Sequence, residues 1–369
     1  MLTSTLRWTA GSGWSGDGGP AEPQLVLVFG EHGHFRDARC FTELRERFPS
    51  ACLFGCSSAG TVHGVEITDG DVVATAVRFE RSRVRLVSAA VPPGGDAAGA
   101  ARSLAASLAA PDLRHVLVLC DGLSVNGTQL ALGLSACGVP VTGGLAGDAD
   151  RFTSTWVMAD GPACRDHVAL LGIYGGATVR NAYSTGWTEF GAERLVTRSV
   201  GKVVHEIDGQ PALALYKRYL GDLAHSLPAS GMRFPLSIVT QDGGHTLTRT
   251  LLAVDEAEQS LTFAGDVPQG SRCRLMRTNL DNLVESAEAA AQDPAFAGAG
   301  DGLAIIFSCV GRRIVLGQLA EEELEAVQRR LGPRVRLAGF YSYGEIAPVR
   351  GLVSCDLHNQ TMCLTVVRE

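Results

Sequence analysis

Gly339-Phe-Tyr-Ser-Tyr-Gly-Glu-Ile-Ala-Pro348 follows a strand-like run, Arg334-Val-Arg-Leu-Ala338, and the reading of the chain starts from it. Two glycines bracket a phenylalanine and two tyrosines, and a carboxylate, Glu345, comes next. Glycine has no Cβ, so backbone there can approach a ligand closely. Tyrosine offers a flat apolar face with a hydroxyl tip. A turn of this kind at the C-terminal end of a strand in an α/β layer is where ligands usually bind.

The same grammar recurs twice. Phe48-Pro-Ser-Ala-Cys-Leu-Phe-Gly-Cys-Ser-Ser-Ala-Gly60 and Gly138-Val-Pro-Val-Thr-Gly-Gly-Leu-Ala-Gly-Asp148 both run from an apolar strand into glycines and small residues. Each of the three follows a helix-like segment, and that follows a very apolar strand: Leu25–Phe29, His115–Cys120 or Leu303–Cys309. Continuous apolar runs of this length predict strands buried on both faces. Three copies of strand, helix, strand and glycine turn predict an α/β fold with mixed sheets and an internal repeat. The irregular period leaves open the alternative that βα units simply look alike.

Between the units, Val72–Phe79 and Val84–Val91 flank the charged Glu80-Arg-Ser-Arg83 and predict a hairpin. Beyond Gly186-Trp187-Thr-Glu-Phe-Gly191 the pattern turns to short β segments, so the C-terminal part is expected to be richer in β. The division expected is a flexible leader at 1–23, an N-terminal α/β domain at 24–196 and a C-terminal one at 197–369. Gly11-Ser-Gly-Trp-Ser-Gly16 matches a dinucleotide fingerprint letter for letter. No strand precedes it and no helix follows, so the motif lacks the context that gives it meaning.

The chain has 369 residues, 46% hydrophobic and 19% charged, which suits a large core and excludes disorder. Net charge is −7 and no basic stripe occurs, so nucleic acid is not the expected partner. Lys202 and Lys217 are the only lysines among many arginines, a signature of genome composition. Ten cysteines without a Cys-x-x-Cys pair predict free core thiols in a reducing cytoplasm, and no zinc spacing is present. Neither a signal peptide nor a membrane-length apolar run stands out.

For a ligand, backbone N–H groups of the glycine turns, Gly144 among them, are suited to a carboxylate. Asp121, Asp148 and Glu345 are suited to an amino group. Tyr341 and Tyr343 are placed to wall the site, and Cys56, Ser57 and Ser58 form the first corner. Equally, the glycines serve only tight turns and the tyrosines only fill core. Ser57 or Cys56 as the nucleophile of a hydrolase is a remote alternative. The spacing around Ser57 is not that of a nucleophile elbow, so no enzyme is expected.

The ordered set of motifs resembles the FIST family. It comprises Gly55-Cys-Ser-Ser-Ala-Gly60, Asp121-Gly-Leu-Ser124, Gly143-Gly-Leu-Ala-Gly-Asp148, Glu206-Ile-Asp-Gly209, Phe307-Ser-Cys309, Gly339–Pro348 and His358-Asn-Gln-Thr361. Nearly the whole chain is covered, from about residue 24 onward. The resemblance implies a FIST N and a FIST C half forming one intracellular sensory module, with Asn359 among the ligand-binding residues. It implies a small ligand. The first reading is haem b sensing nitric oxide and regulating a separate histidine kinase or cyclic-di-GMP enzyme; the alternative is an amino-acid-like metabolite without haem. A homodimer is a further expectation. Haem needs an axial imidazole. His245, after Asp242-Gly-Gly244, ranks first, because the glycines would let a flat macrocycle approach; His225 and His205 follow.

Overall fold

The computed structural model describes residues 1–16, 19–239, 246–296, 300–349 and 354–369. Its core is carried by three parallel strand pairs. They are Leu25–Gly30 with Cys52–Ser57, Leu113–Cys120 with Val141–Leu145, and Gly302–Cys309 with Val335–Ser342. Their side chains are buried almost throughout, as continuous apolar runs require. Helices Arg39–Arg47, Gly127–Leu134 and Ala320–Leu331 lie on the crossovers between paired strands. The second starts where the Asn126 side chain accepts from the backbone N–H of Gln129. It tightens into a 3-10 turn, Ser135–Cys137, before Gly138 at φ 67°.

An antiparallel strand flanks each pair: Val72–Arg78, His167–Gly175 or Met362–Arg368. The register repeats as well. Gly55 lies opposite Val28, Gly143 opposite Val118, and Gly339 opposite Ile306. At these glycines a Cβ would stand 1.9, 1.9 and 2.0 Å from the carbonyl oxygen of the facing residue. The three units are therefore equivalent in space, although their sequence period is irregular.

The strand that leaves each corner crosses to another unit. Thr61–His63 pairs with Val335–Ser342, Glu345–Pro348 with Val141–Leu145, and Val157–Ala159 with Cys52–Ser57. The exchange is cyclic and stitches three six-stranded sheets together. The expected cut at residue 197 consequently does not divide the core, because both ends of the chain contribute to the second and third sheets.

Residues 188–277 build the fourth sheet, with helix Ala212–Leu220 and a core of its own around Leu213, Leu251 and Phe263. The change of pattern near Gly186 marks where this β-rich segment begins. The architecture is α/β with mixed sheets and a β-rich insertion toward the C-terminal part.

Two expectations are corrected. Leu2–Thr9 is a strand and not a leader: it pairs with Val72–Arg78 and buries Leu6 and Trp8 on one face. The Gly/Ser-rich composition around it hid that alternation. Val72–Arg78 and Ser82–Ala90 are both strands, but they lie in different sheets and form no hairpin. The short charged link carries the chain from one sheet to the next.

Candidate functional site

The three glycine corners meet. Gly147 N–H donates to Ser57 O at 3.0 Å, Ala59 N–H to Tyr341 O at 2.9 Å, and Tyr343 N–H to Leu145 O at 3.0 Å. Their meeting point is filled by protein. Ser57 Oγ accepts from Trp156 N–H, and Ser58 Oγ lies 2.7 Å from Thr61 Oγ1. Cys56 is fully buried, and burial, with Cys120 beside it, pushes its thiol well up. Gly144 makes room for Phe340, Ser342 and Phe307.

The carboxylates serve the corners from within. Asp121 accepts from the N–H groups of Leu123, Ser124 and Asp166 and from Thr155 Oγ1, fixing the loop that opens the second crossover. Asp148 accepts from Phe152, Thr153, Ser154 and the Tyr343 hydroxyl. Burial pushes its pKa up, but these hydrogen bonds outweigh it and hold the carboxyl below the ordinary range. Glu345 accepts from Ser342 Oγ and Thr361 Oγ1, each at 2.6 Å. There burial wins over the hydrogen bonds and raises the pKa to about 8. Tyr341 points away from any opening and donates to Glu323, which also pairs with the buried Arg312 at 2.9 Å.

The open space lies beside the corners. A cavity of about 260 Å³ sits between the ends of the second and third strand pairs and the β-rich segment. Its position outside the C-terminal ends of Leu113–Cys120 and Gly302–Cys309 is the usual one for an α/β ligand site. Tyr343 and Asn359 line it. The remaining corner residues named from sequence, Cys56, Ser57, Ser58, Asp121, Gly144, Asp148, Tyr341 and Glu345, shape the frame that holds those two.

The wall is largely apolar. The Tyr343 ring stacks on Phe152 with centroids 4.5 Å apart, and Leu145, Met232 and Val310 continue the surface. Leu123, Phe152 and Leu252 remain partly exposed, so the rim is apolar as well. Three polar groups lie at the wall: Asn359 Oδ1, Thr250 Oγ1 and Ser124 Oγ are buried and have no hydrogen-bond partner. Asn359 and Thr250 are only 0% and 4% exposed. All three atoms are closed to a molecule the size of water, so they lie behind the cavity surface. Two charged side chains, Lys202 and Asp266, also line the space.

Sequence reasoning missed Lys202, Thr250, Asp266 and Ser124. Lys202 carried a signal, as one of only two lysines where arginine is the rule. Ser124 closes the motif Asp121-Gly-Leu-Ser124, while Thr250 and Asp266 sit in unremarkable strands and turns that only the fold brings to the cavity.

Among the described residues no histidine lines the cavity. His225 lies in the exposed 3-10 turn Gly221–Ser226, and His205 on strand Val203–Ile207 with Nδ1 buried and unpartnered. His245 lies outside the described residues. The described residues thus offer haem no axial imidazole in this cavity. Among them, no cluster of three His, Cys, Asp or Glu side chains is arranged to hold a metal ion.

A cavity walled by apolar side chains at the strand ends of a mixed α/β core is the usual place for a small ligand in such folds. The FIST N domain model matches residues 24–210 and the FIST C domain model residues 212–348, so the chain belongs to the FIST family, whose domains are small-ligand-sensing signal-input modules. An uncharacterized protein of Methanocaldococcus jannaschii is 29% identical over 166 residues, 40% of this chain and 31% of that protein. An uncharacterized protein of Mycobacterium bovis is 25% identical over 368 residues, 93% of this chain and 91% of that protein. Among solved structures, a cyanuric acid hydrolase from A. caulinodans aligns with a TM-score of 0.37 at 11% identity, covering 100% of this chain and 99% of that one. Among the described residues no helix is long and apolar enough to cross a membrane.

Proposed function

We propose that this chain is the ligand-binding input of a signalling pair, taking a small amino-acid-like metabolite into the cavity between the α/β core and the β-rich segment. The observation that carries the reading is one cavity at the strand ends, walled by apolar side chains and lined by Lys202 and Asp266 as well. Lys202 and Asp266 supply one charge of each sign for a carboxylate and an ammonium group. Because the walls belong to two bodies with separate cores, a guest that touches both favours their closed arrangement. A separate protein, such as a histidine kinase or a cyclic-di-GMP enzyme, then reads that arrangement. Ten unpaired thiols support a reducing, cytoplasmic setting.

The test is thermal unfolding of the purified protein with a panel of free amino acids. A ligand of the native state must raise the melting temperature. Lys202→Met is expected to abolish the shift. A panel that leaves the melting temperature unmoved overturns the reading. A haem-based nitric-oxide sensor remains the other version of the same input role, with His245 its first candidate ligand. Its test is a Soret band after haem reconstitution, lost in His245→Ala.

A further inference from the structure

The cavity has two unlike sides. Both charged residues that line it, Lys202 and Asp266, belong to the β-rich segment, and the α/β core contributes none. On the core side the surface is made by Leu145, Val310 and the Tyr343–Phe152 stack. Met232 and Leu252 continue it across the β-rich segment. The polar side chains on the core side are committed within the protein or shut behind its surface. Asn126 Oδ1 accepts from Gln129 N–H at 3.1 Å, and Asn126 Nδ2 donates to Asp266 Oδ1 at 3.3 Å. Tyr343 gives its hydroxyl hydrogen to Asp148. Asn359 Nδ2 donates to His358 O at 3.0 Å, while Asn359 Oδ1 and Ser124 Oγ are closed to water and so to any ligand atom. Cys309 adds a thiol that burial keeps neutral, a weak donor at most.

We propose that the cavity selects an amino acid whose side chain is wholly apolar, aliphatic or aromatic. This rests on the amino-acid reading of the site given above. The charged α-groups stay on the β-rich side, where Lys202 and Asp266 are, and the side chain lies against the core wall. There each methylene taken out of water adds to binding. A side chain ending in an amide or a carboxylate brings donors or acceptors to a wall that has no open side-chain partner for them. Such a tail gives up its water and gains nothing in exchange. Selection therefore comes from the rejection of polar tails and not from the recognition of one shape. Leucine and phenylalanine are both expected guests, and glutamine and glutamate are excluded.

The test is calorimetric titration of the full chain with leucine, phenylalanine, glutamine and glutamate, repeated on Met232→Gln and Leu252→Gln. Leu252 is partly exposed, so its variant keeps the test readable should Met232→Gln fail to fold. The expected result is binding of leucine, phenylalanine or both, with glutamine and glutamate weaker by about tenfold or more. Met232→Gln weakens the apolar ligand and leaves glutamine no weaker, which narrows the gap, and Leu252→Gln acts in the same direction. Glutamine or glutamate binding the unmodified protein as tightly as the apolar pair overturns this inference and leaves the amino-acid reading standing. An unchanged affinity for the apolar ligand in both variants does the same. Binding of none of the four overturns this inference, and an unmoved melting temperature across the whole amino-acid panel overturns the reading beneath it.

Discussion

Tyr343 donates its phenolic hydrogen to Asp148, and the two residues belong to different corners of the core, 195 positions apart. The bond ties the turn after Val335–Ser342 to the loop after Val141–Leu145. The same tyrosine ring faces the cavity, so the frame and the ligand wall share one side chain. Tyr343→Phe keeps the stack on Phe152 and removes the hydroxyl. Its expected cost is about 1.5–3 kcal/mol in urea unfolding, the range for a hydrogen bond to a charged group.

Asp148 makes the same linkage visible against pH. Its folded pKa lies below the unfolded value. Its contribution to stability is therefore complete above the unfolded value and is lost as the pH falls through the lower folded one. Asp148→Asn is expected to be less stable than the parent at pH 7, with the gap closing as the pH is lowered from about 4 toward 2. Melting temperatures of both proteins across that window decide it. A gap that stays constant would show that the carboxylate charge is not what the loop holds.

Glu345 runs the other way. Its folded pKa is raised to about 8 by burial, above the ordinary carboxylate value of 4.5. The folded protein keeps a proton there that the unfolded chain has released, so this group's contribution declines as the pH rises from about 4.5 through 8. Replacement by the isosteric amide removes the titration. Glu345→Gln is expected to flatten the fall in melting temperature between pH 5 and pH 8. Retention of the parent's slope in the variant would mean that another group sets it.

The buried strands were legible because burial on both faces leaves a mark that needs no partner to read. Leu25–Phe29, Val116–Cys120 and Leu303–Phe307 are apolar at consecutive positions, and each lies in a core strand. The N-terminal strand was not legible, because Leu6 and Trp8 alternate with polar residues inside a Gly/Ser-rich stretch. The pairing of Thr61–His63 with Val335–Ser342 was out of reach, since nothing local states that a strand crosses to a distant unit. The cavity follows the same division. Tyr343 and Asn359 lie in motifs visible in sequence, whereas Lys202 and Asp266 come to line the cavity only where the β-rich segment packs on the core.

Arg312 and Glu323 test how the third unit is held. Their side chains are 0% exposed and 2.9 Å apart, with Arg312 also donating to Thr185 O and Leu283 O, and Tyr341 and Ser308 donating to Glu323. Removing one partner leaves a buried charge uncompensated. Arg312→Met or Glu323→Leu alone is expected to cost about 3–5 kcal/mol. The double variant is expected to cost much less than the two single losses added together. A urea double-mutant cycle measures the difference, and simple additivity would mean the pair is not coupled.

Gly55, Gly143 and Gly339 occupy matching positions in the three repeated strand pairs. At Gly143 a Cβ would stand 1.9 Å from Val118 O, a backbone atom in a paired strand that cannot swing aside. Adding one methyl group there must push the second strand pair apart. Gly143→Ala is expected to cost about 3 kcal/mol or more, at the upper end for overpacking. Gly55→Ala should cost as much, because Val28 O lies at 1.9 Å in the same register, and Gly339→Ala should cost more, because Ile306 O lies at 2.0 Å and the residue also sits at φ 141°, which side chains rarely adopt. Gly161 has nothing within 4 Å of its Cβ position, so Gly161→Ala should stay within about 0.5 kcal/mol of the parent. Equal losses at Gly55 and Gly143 with a larger one at Gly339, read by urea unfolding, would match the shared register and the added backbone strain of the third unit. A core substitution as mild as Gly161→Ala would show that its strand pair yields to the added atom.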